Sequence, residues 1–169
     1  ALKNGWYIDS PKKVNSNVMS YLTIELVSWL KKEQLFLPKN KQWAIGTSMG
    51  GHGVLTISLT HPEIWAGVSS IAGITELEKF HTKWEMRSHF GKLSDSPELW
   101  KKYSFNSLLL SGVLPQTFIV LDCGKSDFAF KSNQKTDSLL TNLNIPHHFW
   151  SESGTHNFKY VSKVLKKHI

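Results

Sequence analysis

Gln42-Trp43-Ala44-Ile45-Gly46-Thr47-Ser48-Met49-Gly50-Gly51-His52-Gly53 is the stretch on which the reading of this chain turns. Trp43, Ala44 and Ile45 are an apolar run with the character of a buried strand. Val54, Leu55, Ile57 and Leu59 continue as a helix that stops near His61-Pro62, because the residue before a proline is driven out of the helical region. Between strand and helix lies a corner, Gly46-Thr47-Ser48-Met49-Gly50, of the form G-x-S-x-G. A strand that turns at once into a helix brings backbone segments close together around the serine, so a Cβ at Gly46 or Gly50 is expected to clash. The turn lifts the Ser48 hydroxyl to the end of a strand and the N-terminus of a helix, where the helix dipole and free N–H groups favour negative charge. The amide of Met49, the residue after the serine, is placed to be one donor of an oxyanion hole. The same five residues could form a glycine-rich turn without chemistry; the flanking strand and helix argue against that.

Before this stretch, Asn4-Gly5 and Ser10-Pro11 are turn signals in an irregular opening segment that carries Trp6 and Tyr7. Val18, Tyr21, Leu22, Leu26, Trp29 and Leu30 recur at helical spacing and predict an amphipathic helix over 16–33 with that face inward. After it, 65–72, 116–122 and 146–151 read as strands. The second of these is nearly continuous in apolar residues, as a strand covered on both faces should be. Helices are expected over 131–142 and 157–169, the last burying Phe158, Val161, Leu165 and Ile169. Residues 74–115 carry no strand signal. They hold short helical pieces, one starting at Ser96-Pro97-Glu98, with Trp84, Met86, Phe90 and Trp100 as a small apolar set. Strands alternating with helices make an α/β chain with a parallel sheet and helices on both faces.

A length of 169 residues suits a single domain over 1–169, with 74–115 as a helical insertion. The net charge is +7, but the basic residues come as scattered pairs such as Lys31-Lys32 and Lys101-Lys102, several near expected helix ends. No arginine-rich stripe suggests a nucleic-acid groove, so the charge reads as solvated surface. No apolar run approaches the ~20 residues that span a membrane. Cys123 is the single cysteine, which excludes an internal disulfide, and its apolar strand makes it a core residue. No histidine or carboxylate spacing points to a metal, and no cofactor is expected.

A serine nucleophile needs a base to take its proton and a third group to orient that base. In α/β-hydrolases these follow in the order serine, acid, histidine, the last two on loops at the carboxyl edge of the sheet. After the third strand comes Asp122-Cys123-Gly124-Lys125-Ser126-Asp127. Asp127 lies past the strand end and is preferred as the acid over Asp122, still in the strand, and over Glu152 after the fourth. His156, on the loop leading to the last helix, is preferred as the base. His147 and His148 lie at the start of the fourth strand, and His61, His81, His89 and His168 have no matching loop position. His52, on the helix after Ser48, is expected to pack or hydrogen-bond locally.

Gly46-Thr47-Ser48-Met49-Gly50-Gly51-His52-Gly53, Asp122-Cys123-Gly124-Lys125-Ser126-Asp127 and Gly154-Thr155-His156 together resemble the esterase D family of α/β-hydrolases. That family includes tributyrin esterases, S-formylglutathione hydrolases, feruloyl and acetylxylan esterases, and mycolyltransferases. Trp6-Tyr7-Ile8-Asp9-Ser10-Pro11 is also similar to its secreted-type members. The resemblance implies a three-layer α/β-hydrolase fold and a serine carboxylesterase with Ser48 as nucleophile, Asp127 as acid, His156 as base and the Met49 amide in the oxyanion hole. It places the 74–115 insertion, and Trp84 with it, beside the substrate. It implies a small-molecule or carbohydrate-linked ester, no cofactor, and a periplasmic or secreted location. Acyl transfer by the same triad, and a non-catalytic binding or assembly module, are the alternatives. The family's fold carries further strands before the elbow, and the strand signals here begin at the elbow strand. A missing N-terminal segment or a second chain is therefore expected beside residues 42–47, supplying the second oxyanion N–H. Left open, that apolar edge is an aggregation hazard.

Overall fold

Short apolar runs cannot satisfy their backbone groups alone, and here they do so by pairing into one parallel sheet with helical crossovers between neighbours. The computed structural model describes residues 5–169; Asn4 of the expected Asn4-Gly5 turn lies outside the described residues. The opening segment leads into a helical stretch built from α1 (Val18–Ser20), a widened π-helical turn (Tyr21–Glu25) and α2 (Leu26–Lys32). Then come β1 (Trp43–Thr47), α3 (Met49–Thr60) and β2 (Gly67–Ile71). The segment between β2 and the next strand holds α4 (Met86–Phe90), α5 (Pro97–Tyr103) and α6 (Phe105–Leu110). β3 (Phe118–Asp122), α7 (Phe130–Asn142), β4 (His147–Trp150) and α8 (Phe158–Val164) complete the order.

The strands lie side by side as β1-β2-β3-β4, every pair parallel. The register runs in step: Thr47 sits beside Ile71, Ile71 beside Asp122, and Asp122 beside Trp150. The carboxyl ends of all four strands therefore emerge in one row, which is what brings loops distant in sequence to one place.

β2 is buried along its whole length. Leu55 and Leu59 of α3 pack with Phe105 and Leu109 of α6 over Val68, Ile119 and Leu121 of the sheet. A second cluster joins Trp6 and Ile8 to Ile74, Met86, Phe90 and Trp100. Each such side chain contributes about 1.5–3 kcal/mol by leaving water. Met86, Phe90 and Trp100 thus share a core with the opening segment instead of forming one of their own. Trp84, expected with them, is 42% exposed.

Two helix faces differ from expectation. In the first, Val18, Met19, Thr23 and Val27 point inward, whereas Tyr21 and Trp29 are exposed. The widened turn at Tyr21–Glu25 shifts the residues after it around the axis, so a constant 3.6-residue spacing picks the wrong face. In the last, Tyr160 and Val164 are buried, whereas Phe158 is 84% and Ile169 93% exposed. Asn157 caps that helix by accepting the Tyr160 N–H at 2.9 Å, and this start sets the rotation that turns 160 and 164 to the sheet. The outer edge of β1 faces no strand among the described residues; on one face of that strand Trp43 (48%) and Ile45 (37%) are exposed, the Trp43 ring lying over Gly67 and near Phe118.

Candidate active site

Ser48 occupies the corner between β1 and α3 with φ 54° and ψ −114°, a region that costs of order 1–3 kcal/mol for a residue with a side chain. Its surroundings hold it there. The Ser48 N–H donates to Ile71 O at 2.9 Å, and Ser48 O accepts from His52 at 3.1 Å. Gly46 is required: a Cβ on it would lie 2.1 Å from Gly50 O. Gly50 corrects the expectation, since outside its own helix a Cβ there would meet nothing closer than the Tyr7 hydroxyl at 3.6 Å.

The Ser48 hydroxyl Oγ lies 2.8 Å from His156 Nε2. The other ring nitrogen, Nδ1, lies 2.8 Å from Asp127 Oδ2 and 3.0 Å from Oδ1. The Asp127 side chain is fully buried, and its Oδ1 also accepts the Ala129 N–H at 2.8 Å. A buried carboxylate at Nδ1 makes that nitrogen the donor, which leaves Nε2 with its lone pair towards Ser48. The loops carrying Asp127 and His156 are stitched together: Lys125 N–H donates to Glu152 O and Ser126 N–H to Gly154 O, both at 2.9 Å. A cavity of about 280 Å³ opens over Ser48 and His156, bounded by Ala72, Phe158, Tyr160 and Val161. A larger cavity, about 460 Å³, is lined by Tyr21, Glu25, Leu26 and Trp29, none of which belongs to this site.

The structure thus brings Ser48, Asp127 and His156 together. It sets the competitors elsewhere. Glu152 pairs with Lys163 and Lys167 at 2.8 and 3.1 Å, and hydrogen bonds from those two lysines hold its carboxyl below the usual range. His147 bonds Asp137 at 3.0 Å. His52 is fully buried against Thr56 and the Trp6 ring, and burial lowers its pKa to about 4, so its imidazole stays neutral. Cys123 is buried, and that burial pushes its thiol up. Asp122 is taken up by Tyr160 and His168. Among the described residues no group of three or more His, Cys, Asp or Glu could hold a metal, and no helix is long and apolar enough to cross a membrane.

Phe128 is a neighbour that sequence reasoning missed. Its half-exposed ring lies 4.3 Å from the His156 ring, centroid to centroid. Trp84 reaches the site through it: Trp84 lies 5.9 Å from Phe128 and 5.3 Å from Phe80. Trp84 and Glu85 both have positive φ, 49° and 57°, in the turn just before α4. The only signal in sequence was adjacency to Asp127.

The solved structure of an S-formylglutathione hydrolase from Agrobacterium tumefaciens superposes with a TM-score of 0.81 at 22% identity, over 97% of this chain and 60% of that one. The parallel sheet with its strand-to-helix serine corner is an α/β-hydrolase fold. Residues 4–166 match the model of the Esterase family ("Putative esterase"), and the chain belongs to that family. An S-formylglutathione hydrolase of Paracoccus denitrificans (strain Pd 1222) is 28% identical, and one of Arabidopsis thaliana 25% identical, each over 98% of this chain. The chain spans 60% of the length of these relatives.

Proposed function

We propose that the protein hydrolyses carboxylic esters through an acyl-enzyme formed on Ser48. The observation that carries this is the unbroken line from Ser48 Oγ through His156 to Asp127, 2.8 Å at each link. Ser48 Oγ attacks the carbonyl carbon while its proton passes to His156 Nε2. Asp127 holds the ring in the tautomer that can accept it and stabilises the imidazolium that forms. The Met49 N–H, first in α3, donates to the developing oxyanion. Collapse of the tetrahedral intermediate expels the alcohol, which takes the proton from Nε2. Water, deprotonated by the same nitrogen, then releases the acid and regenerates Ser48. The relatives are named as hydrolases of S-formylglutathione, a thioester; a thiolate leaving group fits the same steps.

Because His156 hands its proton to the leaving group, that group lies on the His156 side. Phe128 and Trp84 form an apolar wall there. The second oxyanion donor comes from a segment or chain that adds a strand beside β1. Support for this is the outer edge of β1, which pairs with no strand among the described residues, together with the 60% span of the relatives.

The test is a fluorophosphonate probe with peptide mapping, alongside hydrolysis of p-nitrophenyl acetate by the whole protein. Probe on Ser48, absent in Ser48→Ala, is the expected result. A folded protein that never takes the probe and turns over no ester overturns the proposal in favour of a binding module.

A further inference from the structure

Asp122 ends β3, and its carboxylate is fully buried. A carboxylate out of water is costly unless both oxygens are hydrogen-bonded. Both are, from opposite ends of one helical segment. The Tyr160 hydroxyl, in the first turn of α8, donates to Oδ1. His168, beyond its far end, places Nε2 3.3 Å from Oδ2. His168 Nδ1 in turn bonds Ser69 Oγ of β2. Tyr160, Val164 and His168 form one i, i+4, i+8 stripe against the sheet. With a neutral imidazole every proton has a place: Ser69 O–H donates to Nδ1, while Nε2–H and the Tyr160 O–H donate to Asp122. Burial first, then the Asp122 hydrogen bond, push the Tyr160 phenol up, which keeps it a donor.

This second Ser-His-Asp set is closed to substrate. Ser69 is 1% exposed, and the His168 and Asp122 side chains are 0% and 1% exposed. Its consequence is mechanical. The Tyr160 ring presses on Gly154, where a Cβ would lie 2.0 Å from the ring. Gly154 is two residues before His156, and its carbonyl accepts from Ser126, the residue before Asp127. Lys163 and Lys167 tie the same segment to Glu152 on the same loop.

We propose that Asp122, gripped by Tyr160 and by the Ser69–His168 pair, is the buried anchor that sets the loop carrying His156 against the loop carrying Asp127. Asp122 and His168 are positioning residues closed off from substrate; Tyr160, whose side also bounds the cavity over Ser48, takes part in the anchor through its hydroxyl. The inference rests on the proposed roles of Ser48, Asp127 and His156, so its test has one readout independent of turnover.

His168→Ala and His168→Gln are compared in the whole protein by kcat and KM on p-nitrophenyl acetate. The low-field proton resonance of His156 Nδ1–H, assigned by its loss in His156→Gln, is followed in parallel. The alanine variant is expected to lose kcat by about 10- to 100-fold, the scale of a sub-ångström to ångström misplacement. KM stays unchanged and the resonance broadens. Glutamine, which keeps a nitrogen donor towards Asp122, recovers most of both. Should His168→Ala fail to fold, Tyr160→Phe, which keeps the ring on Gly154 and removes only the hydroxyl, is read by the same resonance. A folded His168→Ala with wild-type kcat and an unaltered resonance overturns the anchor, and so does an equal loss in the alanine and glutamine variants. If the wild type hydrolyses no ester, the functional proposal fails, and the resonance alone decides the anchor: weakened in the variants it stands, unchanged it falls.

Discussion

The two edges of the sheet are finished in opposite ways. Beside β4, His147 is held between Asp137 and the Ile145 carbonyl, and Glu152 just past the strand is clamped by two lysines. Short polar edges of this kind resist further pairing. On β1, Trp43 and Ile45 are exposed on one face, and Tyr21, Trp29, Leu35 and Leu37 of the helix and connector that precede it in sequence are exposed as well. The candidate site is divided between these sides. β3 and β4 deliver Asp127 and His156 on loops that hydrogen-bond one another, whereas β1 delivers Ser48. Asp127 and His156, the proposed acid and base, are braced by hydrogen bonds between their own loops. Ser48, the proposed nucleophile, rides on the strand whose outer edge is unpaired among the described residues.

The sharpest break in that comparison is Ser48→Ala. It should cost ~10⁴–10⁶ in kcat, and removing His156 instead should cost about as much, because the parts act as a unit. Steady-state hydrolysis of a p-nitrophenyl ester measures both. A tenth of wild-type activity in Ser48→Ala would mean that another group is the nucleophile.

Next is the open edge itself. Ile45→Lys places a charge on the exposed face of β1, which a segment pairing that edge is proposed to cover. In the whole protein it should lower turnover by about 10²–10³, the effect of losing one oxyanion donor. Wild-type turnover in Ile45→Lys would leave β1 as a true edge.

A smaller effect tests the core shared by both sides. His52 is neutral when folded, with its pKa lowered by burial from 6.5 to about 4. Between those values the unfolded chain binds the extra proton, so stability falls as pH drops through that window and levels off below it. The loss is about 3 kcal/mol at most, at 1.36 kcal/mol per unit. Urea midpoints at several pH values should decline less steeply for His52→Leu than for the wild type; parallel slopes would remove His52 as the cause. Smallest of all, iodoacetamide should leave Cys123 unmodified in the native protein, since burial pushes its thiol up. Intact mass shows this directly.

What the sequence makes legible here is local chemistry. The strand-glycine-helix corner at 42–60 shows because its composition changes abruptly, and Asp127 and His156 show because each follows a strand on a glycine-containing loop. Helix faces are harder. Phe158 and Ile169 look like core residues by type, yet the buried stripe is Tyr160, Val164 and His168, two of which are polar and find their partners, Asp122 and Ser69, on strands far away in sequence. Periodicity identifies a helix but not the neighbour that covers it. The widened turn at Tyr21–Glu25 defeats spacing altogether, and Phe128 carries no motif.

The stitched loops also order events in time. Asp127 and His156 are 29 positions apart, whereas Ser48 and His156 are separated by 108. Closing the longer loop costs roughly 1 kcal/mol more in chain entropy. Acid and base can meet as soon as β3, α7 and β4 assemble. The serine joins them only once β1 and β2 have docked in register, the same step that brings Ser69 to His168.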